Sequence, residues 1–102
     1  MKNYTNLLEK AIKIADDRQK SYGPAERSVG KAVAILDVAF NINLSKEQFC
    51  LVLASLKLAR SQDNNGQDSV IDLVNYLCMA RAFEEEENAP PDAIYDKCDN
   101  CN

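Results

Sequence analysis

Ser45-Lys46-Glu47-Gln48-Phe49-Cys50-Leu51-Val52-Leu53-Ala54-Ser55-Leu56-Lys57-Leu58-Ala59-Arg60 is the stretch that decides the fold class. Its first four residues have the form of a capping box. The serine hydroxyl can accept from the backbone N–H three residues on, and the glutamine there can reach back to the serine N–H. Leu44 and Phe49 flank the box as a hydrophobic staple. The helix predicted behind that start runs from Lys46 to Arg60. Phe49, Val52, Leu53, Leu56 and Ala59 fall on its expected inner face at 3.6-residue spacing. Cys50, Leu51, Ala54 and Leu58 occupy the other side, so the helix is apolar nearly all round. A helix of that kind is central or covered twice. In so small a chain the second cover is expected from another copy, through Leu51, Ala54 and Leu58, which predicts a homo-oligomer.

The segments on either side read as helices too. Asn6 with Glu9 three residues on resembles an N-cap and its reciprocal acid, and Leu7, Leu8, Ala11, Ile12, Ile14 and Ala15 share one face up to about Gln19. Ser21-Tyr22-Gly23 breaks that helix, and Pro24 suits the first position of the next. The second helix is expected over Pro24 to Phe40, with Val29, Ala32, Val33, Leu36 and Phe40 inward. Asn41-Ile42-Asn43 is a turn, and Ser61 to Gln67 is a polar loop. Asp68 caps a fourth helix reaching about Glu86, with Val70, Ile71, Val74, Leu77 and Cys78 inward. From Asn88 onward, Pro90-Pro91 and scattered acids read as an extended tail. The expectation is an all-α, antiparallel four-helix domain over residues 1–87, its third helix central, followed by an acidic tail over 88–102.

Composition narrows the chemistry. The 102 residues are 46% hydrophobic and 27% charged, the balance of one globular domain rather than of a disordered chain. No histidine is present, which excludes Ser-His-Asp and Cys-His mechanisms. No apolar run reaches the ~18 residues of a membrane span, and Met1-Lys2-Asn3-Tyr4 opens no signal peptide, so a cytosolic protein with reduced thiols is expected. Cys50 and Cys78 lie in apolar helical patterns, where a free cysteine acts as a small hydrophobe. Cys98-Asp99-Asn100-Cys101 has the spacing of half a zinc site, but it supplies two ligands of four and is expected to be an inert or loosely redox-active tail. The formal charge of −4 argues against sequence-independent binding to DNA or RNA. It divides unevenly: residues 1–60 carry ten basic and six acidic side chains, and residues 61–102 carry two and ten. The basic half of one copy is therefore also a plausible dock for the acidic half of another.

Several polar residues fall on faces that a purely structural helix would keep apolar. On a wheel of ~100° per residue, Arg60 lies close to Phe49, Arg18 beside Leu7, and Arg81 near Val74 and Leu77, with Lys57 at the stripe's edge. A cation turned inward needs a carboxylate, a carbonyl or a ligand anion. The plain reading is that such arginines sit in last turns, their stems packed and their heads near the negative helix end. Lys57 and Arg60, three residues apart, also resemble an anion clamp. The short loop after them predicts that they face Asp68 or Asp72. Asp68 and Asp72 are one turn apart, with Asn75 and Tyr76 continuing the side, a spacing able to hold one Mg²⁺. Glu26 and Asp37 flank the core stripe of the second helix, with Gly30 between them. Glu84 to Glu87 read as a solvated run.

Asp17-Arg18-Gln19-Lys20-Ser21-Tyr22-Gly23, Leu56-Lys57-Leu58-Ala59-Arg60 and Asp68-Ser69-Val70-Ile71-Asp72-Leu73-Val74-Asn75-Tyr76 occur in that order. Together they resemble a small all-helical family common in phages and prophages and left as a domain of unknown function. The resemblance covers about Asn6 to Glu84. That family in turn looks like a relative of the nucleotide-modification-associated and MazG-like all-α nucleotide pyrophosphatases. The resemblance implies a cytoplasmic, oligomeric, nucleotide-handling protein of a bacterial host cell. In it, Lys57 and Arg60, with Arg18, would face phosphate; Tyr22 would stack on a base; Asn75 and Tyr76 would line the site. Mg²⁺ would sit on Asp68 and Asp72, joined by Glu26. The chain departs from the MazG pattern in having no Glu-x-x-Glu pair on an early helix. Three readings stay open: a nucleotide binder, a Mg²⁺-dependent (d)NTP pyrophosphatase, and an oligomeric adaptor without a small ligand. Clustering of Glu26, Asp68 and Asp72 favours the enzyme, cations and Tyr22 around a hollow without clustered acids favour the binder, and full exposure of all of them leaves the adaptor.

Overall fold

The computed structural model describes residues 4–63 and 66–88. The expected tail, with Pro90-Pro91 and the Cys98/Cys101 pair, lies outside the described residues. Four helices account for the fold: α1 Tyr4–Tyr22, α2 Ala25–Phe40, α3 Lys46–Arg60 and α4 Gly66–Asn88. No strand occurs among the described residues, and no described helix is long and apolar enough to cross a membrane.

The boundaries follow local chemistry. Ser45 caps α3 through both halves of the capping box: its hydroxyl accepts from the Gln48 N–H at 3.0 Å, and its own N–H donates to Gln48 Oε1 at 2.9 Å. α1 is longer than expected at both ends, so Asn6 lies inside it rather than at its cap. It stops at Gly23, whose φ of 81° is left-handed and whose N–H donates to the Gln19 carbonyl at 2.9 Å. Pro24 is the N-cap of α2, not its first helical residue, with extended backbone. Asn41 ends α2 in the left-handed region at φ 57°. α4 starts at Gly66, where a Cβ would come 2.9 Å from the Ser61 carbonyl oxygen, so the tight turn excludes a larger residue. Asp68 accordingly sits in the first turn of α4 rather than at its cap.

The packing runs through an antiparallel α3–α4 pair, the most extensive helix contact in the molecule. Lys57 near the end of α3 meets Asp72 near the start of α4, while Cys50 near the start of α3 joins Ala80 and Phe83 toward the end of α4. α1 packs on α4, and α2 closes the Cys50 end with Val29. Centrality is thus shared: α3 touches α4 and α2, and α4 touches α3 and α1.

The expected inner faces need correction. On α3 the innermost residues are Cys50 and Ala54, while Phe49 and Leu53 are half-buried and Val52, Leu56 and Ala59 are exposed. On α4 the buried residues are Ser69, Ile71, Ala80 and Phe83; Leu77 and Cys78 are exposed. The physical reason lies in side-chain size. Cys50, Ala54, Ser69 and Ala80 are all small, which lets two helix axes approach closely and pushes the larger residues to the flanks. On α2, Val29 is buried but Phe40 is exposed, and on α1 Ala11 is buried but Leu8, Ile12 and Ala15 are exposed. Ala54, expected to face another copy, lies in the interior.

Two predictions come from this packing. Phe83 is the largest side chain in the cluster with Val29, Cys50 and Ala80, and Lys46 Nζ stands 5.7 Å from its ring centroid. Phe83→Ala is expected to cost about 3–5 kcal/mol in urea denaturation. Glu84 is not free in solvent: it is half-buried, pairs with Arg81 and lies against Glu47 at the head of α3. A hydrogen bond shared with Glu84, partial loss of water, and repulsion from Glu84 and Glu87 hold the Glu47 carboxyl above its ordinary 4.5, with Arg81 opposing. The folded chain therefore takes up that proton more readily than the unfolded chain, and stability falls as pH rises from 4.5 through the raised value. Glu47→Gln is expected to be more stable than wild type at pH 7 and equal to it well below 4.5, read from melting curves across pH.

Candidate functional site

Asp72, in the second turn of α4, is where three helices meet. Its Oδ1 accepts from Arg18 Nη2 at 3.0 Å, and its Oδ2 lies 3.0 Å from Lys57 Nζ. The short α3–α4 connection brings Lys57 to Asp72, as the sequence predicts; Arg18 arrives from α1, 54 residues away in the chain. The Asp72 side chain is only 15% exposed, whereas that of Arg18 is 47% exposed. One carboxylate thus neutralises one of two cations, and the Arg18 guanidinium keeps donors open to solvent. One turn further on, Asn75 Nδ2 donates to the Ala11 carbonyl at 3.2 Å, a second grip of α4 on α1.

Beside this cluster the four helices enclose a hollow of about 670 Å³. Val29, Phe49, Leu53, Met79 and Phe83 form its apolar lining, all buried or half-buried. Arg18, Gln19, Tyr22, Ser28, Asn75 and Tyr76 supply polar groups, Glu26 and Glu86 add two carboxylates, and Cys78 also lines it. The hollow therefore offers apolar walls for a flat body and one tethered cation for an anionic end.

Of the residues singled out by sequence, Arg18, Tyr22, Asn75, Tyr76 and Glu26 line this one hollow. Asp72 and Lys57 stand behind Arg18 and act through it. Arg60 is exposed and outside the hollow: the last turn of α3 turns Lys57 inward and leaves Leu58, Ala59 and Arg60 in water. Asp68 is likewise exposed and outside it, so the predicted Lys57/Arg60 pair facing Asp68/Asp72 reduces to Lys57 and Asp72, joined by Arg18. Glu26, Asp68 and Asp72 are not gathered as a set; among the described residues no three acidic or thiol side chains form a metal-binding group. Asp72 is engaged by two cations, an arrangement that suits the positioning of Arg18. Arg81 is exposed about two turns before the end of α4 rather than in its last turn, and it pairs along its own helix with Glu84 and Glu85. Sequence reasoning did not find the hollow's apolar lining: Phe49 and Leu53 look there like ordinary core residues, and Met79 and Phe83 fall outside the inner face expected for the fourth helix.

A family model described as a domain of unknown function (DUF6378) matches residues 6–84, taking in all four helices. No curated protein and no solved structure matches the chain.

Removing the shared carboxylate leaves two cations facing each other in a partly buried place. Asp72→Asn is expected to lower stability by about 1–3 kcal/mol, less than for a fully buried pair because Arg18 is half in water. Asp68→Asn, one turn away and exposed, is expected to stay within about 0.5 kcal/mol of wild type in the same urea titration.

Proposed function

The chain belongs to the DUF6378 family, and we propose that its four-helix domain binds a nucleotide, the phosphate at Arg18 and the base in the apolar hollow. The observation that carries this reading is that Arg18, Tyr22, Asn75 and Tyr76, taken from separate sequence segments, line one hollow of about 670 Å³. That volume falls in the ordinary range for small-ligand sites. Arg18 offers a planar fork of donors suited to phosphate oxygens, and its tie to Asp72 reduces the freedom lost on binding. Tyr22 is largely exposed at the end of α1, where its ring can close over a base lying on Met79 and Phe83. Asn75 and Tyr76 provide an amide and a hydroxyl for base edges or sugar.

The reading is of a binder and not of a pyrophosphatase. Two-metal phosphoryl chemistry draws on several carboxylates around the phosphates. Here Glu26 on α2 and Glu86 on α4 are the acids that line the hollow, and Asp72 is held by cations.

Titration calorimetry with NTPs, dNTPs, nucleoside monophosphates and cyclic nucleotides, each with and without Mg²⁺, tests the reading. A saturable site is expected with at least one of them. Arg18→Met should weaken it by at least tenfold, and Tyr22→Ala by about 5- to 100-fold, the 1–3 kcal/mol of a base stack. Arg60→Ala, outside the hollow, should leave it unchanged. Absence of binding tighter than about millimolar, near −4 kcal/mol, would leave the adaptor as the surviving reading.

A further inference from the structure

The described interior is short of large side chains. Beyond Ile71 and Phe83, its buried positions are held by Ala11, Val29, Cys50, Ala54, Ser69 and Ala80. The side of α3 turned away from α4 carries Leu51, Val52, Leu56 and Leu58, which are 42–55% exposed. With Gln48, Ser55 and Ala59 they span an arc of roughly 160° on the helical wheel. Glu47, Lys57 and Arg60 all fall outside that arc, so three turns of helix show no charge to solvent. Ser55, at the centre, has its hydroxyl donating to the Leu51 carbonyl at 2.9 Å, within its own helix. Contiguous apolar faces larger than a few hundred Å² mark interaction sites on soluble proteins.

We propose that this face of α3 is the contact between two copies of the chain, packed antiparallel about a two-fold axis near Ser55. The face reads the same in both directions. Leu51 and Leu58 lie on one edge, centred between Ala54 and Ser55, and Val52 and Leu56 lie on the other edge, centred on Ala54. Under the two-fold, Leu51 meets Leu58 of the partner subunit and Val52 meets Leu56 of the partner subunit, apolar against apolar. That self-complementarity is the property an isologous interface requires, and a different partner would not need it. Charge points the same way. A two-fold sets groups near its axis against their own copies, so a chain of net charge −4 pairs with itself through a neutral face, away from Glu84 to Glu87 at the end of α4. Lastly, a chain so thin in its core gains stability from covering this face, and a second copy is always present when the chain is.

Light scattering on the full chain under reducing conditions is expected to give twice the 11.4 kDa chain mass at about 100 µM. Leu58→Glu places a charge on an exposed position and is expected to give single-chain mass with helical circular dichroism retained. Ser55→Cys, in a chain with Cys78, Cys98 and Cys101 changed to Ser, should form a covalent dimer on mild oxidation. A single-chain mass for wild type at that concentration overturns the proposal. So does failure of the Ser55→Cys chain to cross-link, whatever Leu58→Glu does to folding, because a dimer through another face keeps these positions apart.

Discussion

One carboxylate holds the bundle in register. Asp72 stands between Arg18 of α1 and Lys57 of α3, 3.0 Å from each, and therefore ties three of the four helices at a single point. Helices packed only through apolar side chains can slide by fractions of a turn at little cost. A carboxylate shared by two cations removes that freedom, because each oxygen has one partner and one direction. Asn75, one turn along α4, repeats the constraint by bonding directly to the backbone of α1 at Ala11. The wall that α1 gives to the hollow therefore stands at a set distance from α4, and Arg18 is presented there at half exposure rather than left to wander.

The second determinant is the smallness of the α3–α4 contact. Cys50, Ala54, Ser69 and Ala80 allow the two axes to come close, and the bulk displaced from between them goes to both sides. On one side Phe49, Leu53, Met79 and Phe83 spread apart under α2 and line the hollow. On the other, Leu51, Val52, Leu56 and Leu58 are turned to solvent. The cavity and the bare apolar face thus share one cause. A bulkier pair at Cys50 and Ala80 would separate the helices, draw the flanking leucines inward and close the hollow at the same time.

What could be read from sequence divides along local and non-local lines. The limits of α3 were legible because a capping box is a four-residue device whose partners lie within the same turn. The Lys57–Asp72 pair was legible because a short loop leaves those residues few other places to be. The phase of α3 was not, since leucines and valines occur on every side of it and periodicity cannot choose among equally apolar faces; size, not hydrophobicity, made the choice at Cys50 and Ala54. Phe83 was passed over because four glutamates follow it directly, although its own side points inward. Arg18 reached Asp72 by the docking of α1 on α4, which no spacing within either helix encodes.

The uneven charge of the chain takes on a different meaning once these pairs are in place. A basic first half and an acidic second half suggest copies joined head to tail by opposite charge. The structure instead brings the two halves together within the chain: Arg18 and Lys57 belong to the basic half, Asp72 to the acidic one. Charge met inside the fold is sheltered from salt more than charge met at a surface, so this cluster is suited to positioning helices. Two cations on one carboxylate still leave one positive charge unmatched, and it emerges at Arg18, where the hollow opens. The same pairing that orders the helices therefore also fixes Arg18, the cation on which the proposed phosphate contact rests, in a lining that carries Glu26 and Glu86 as well.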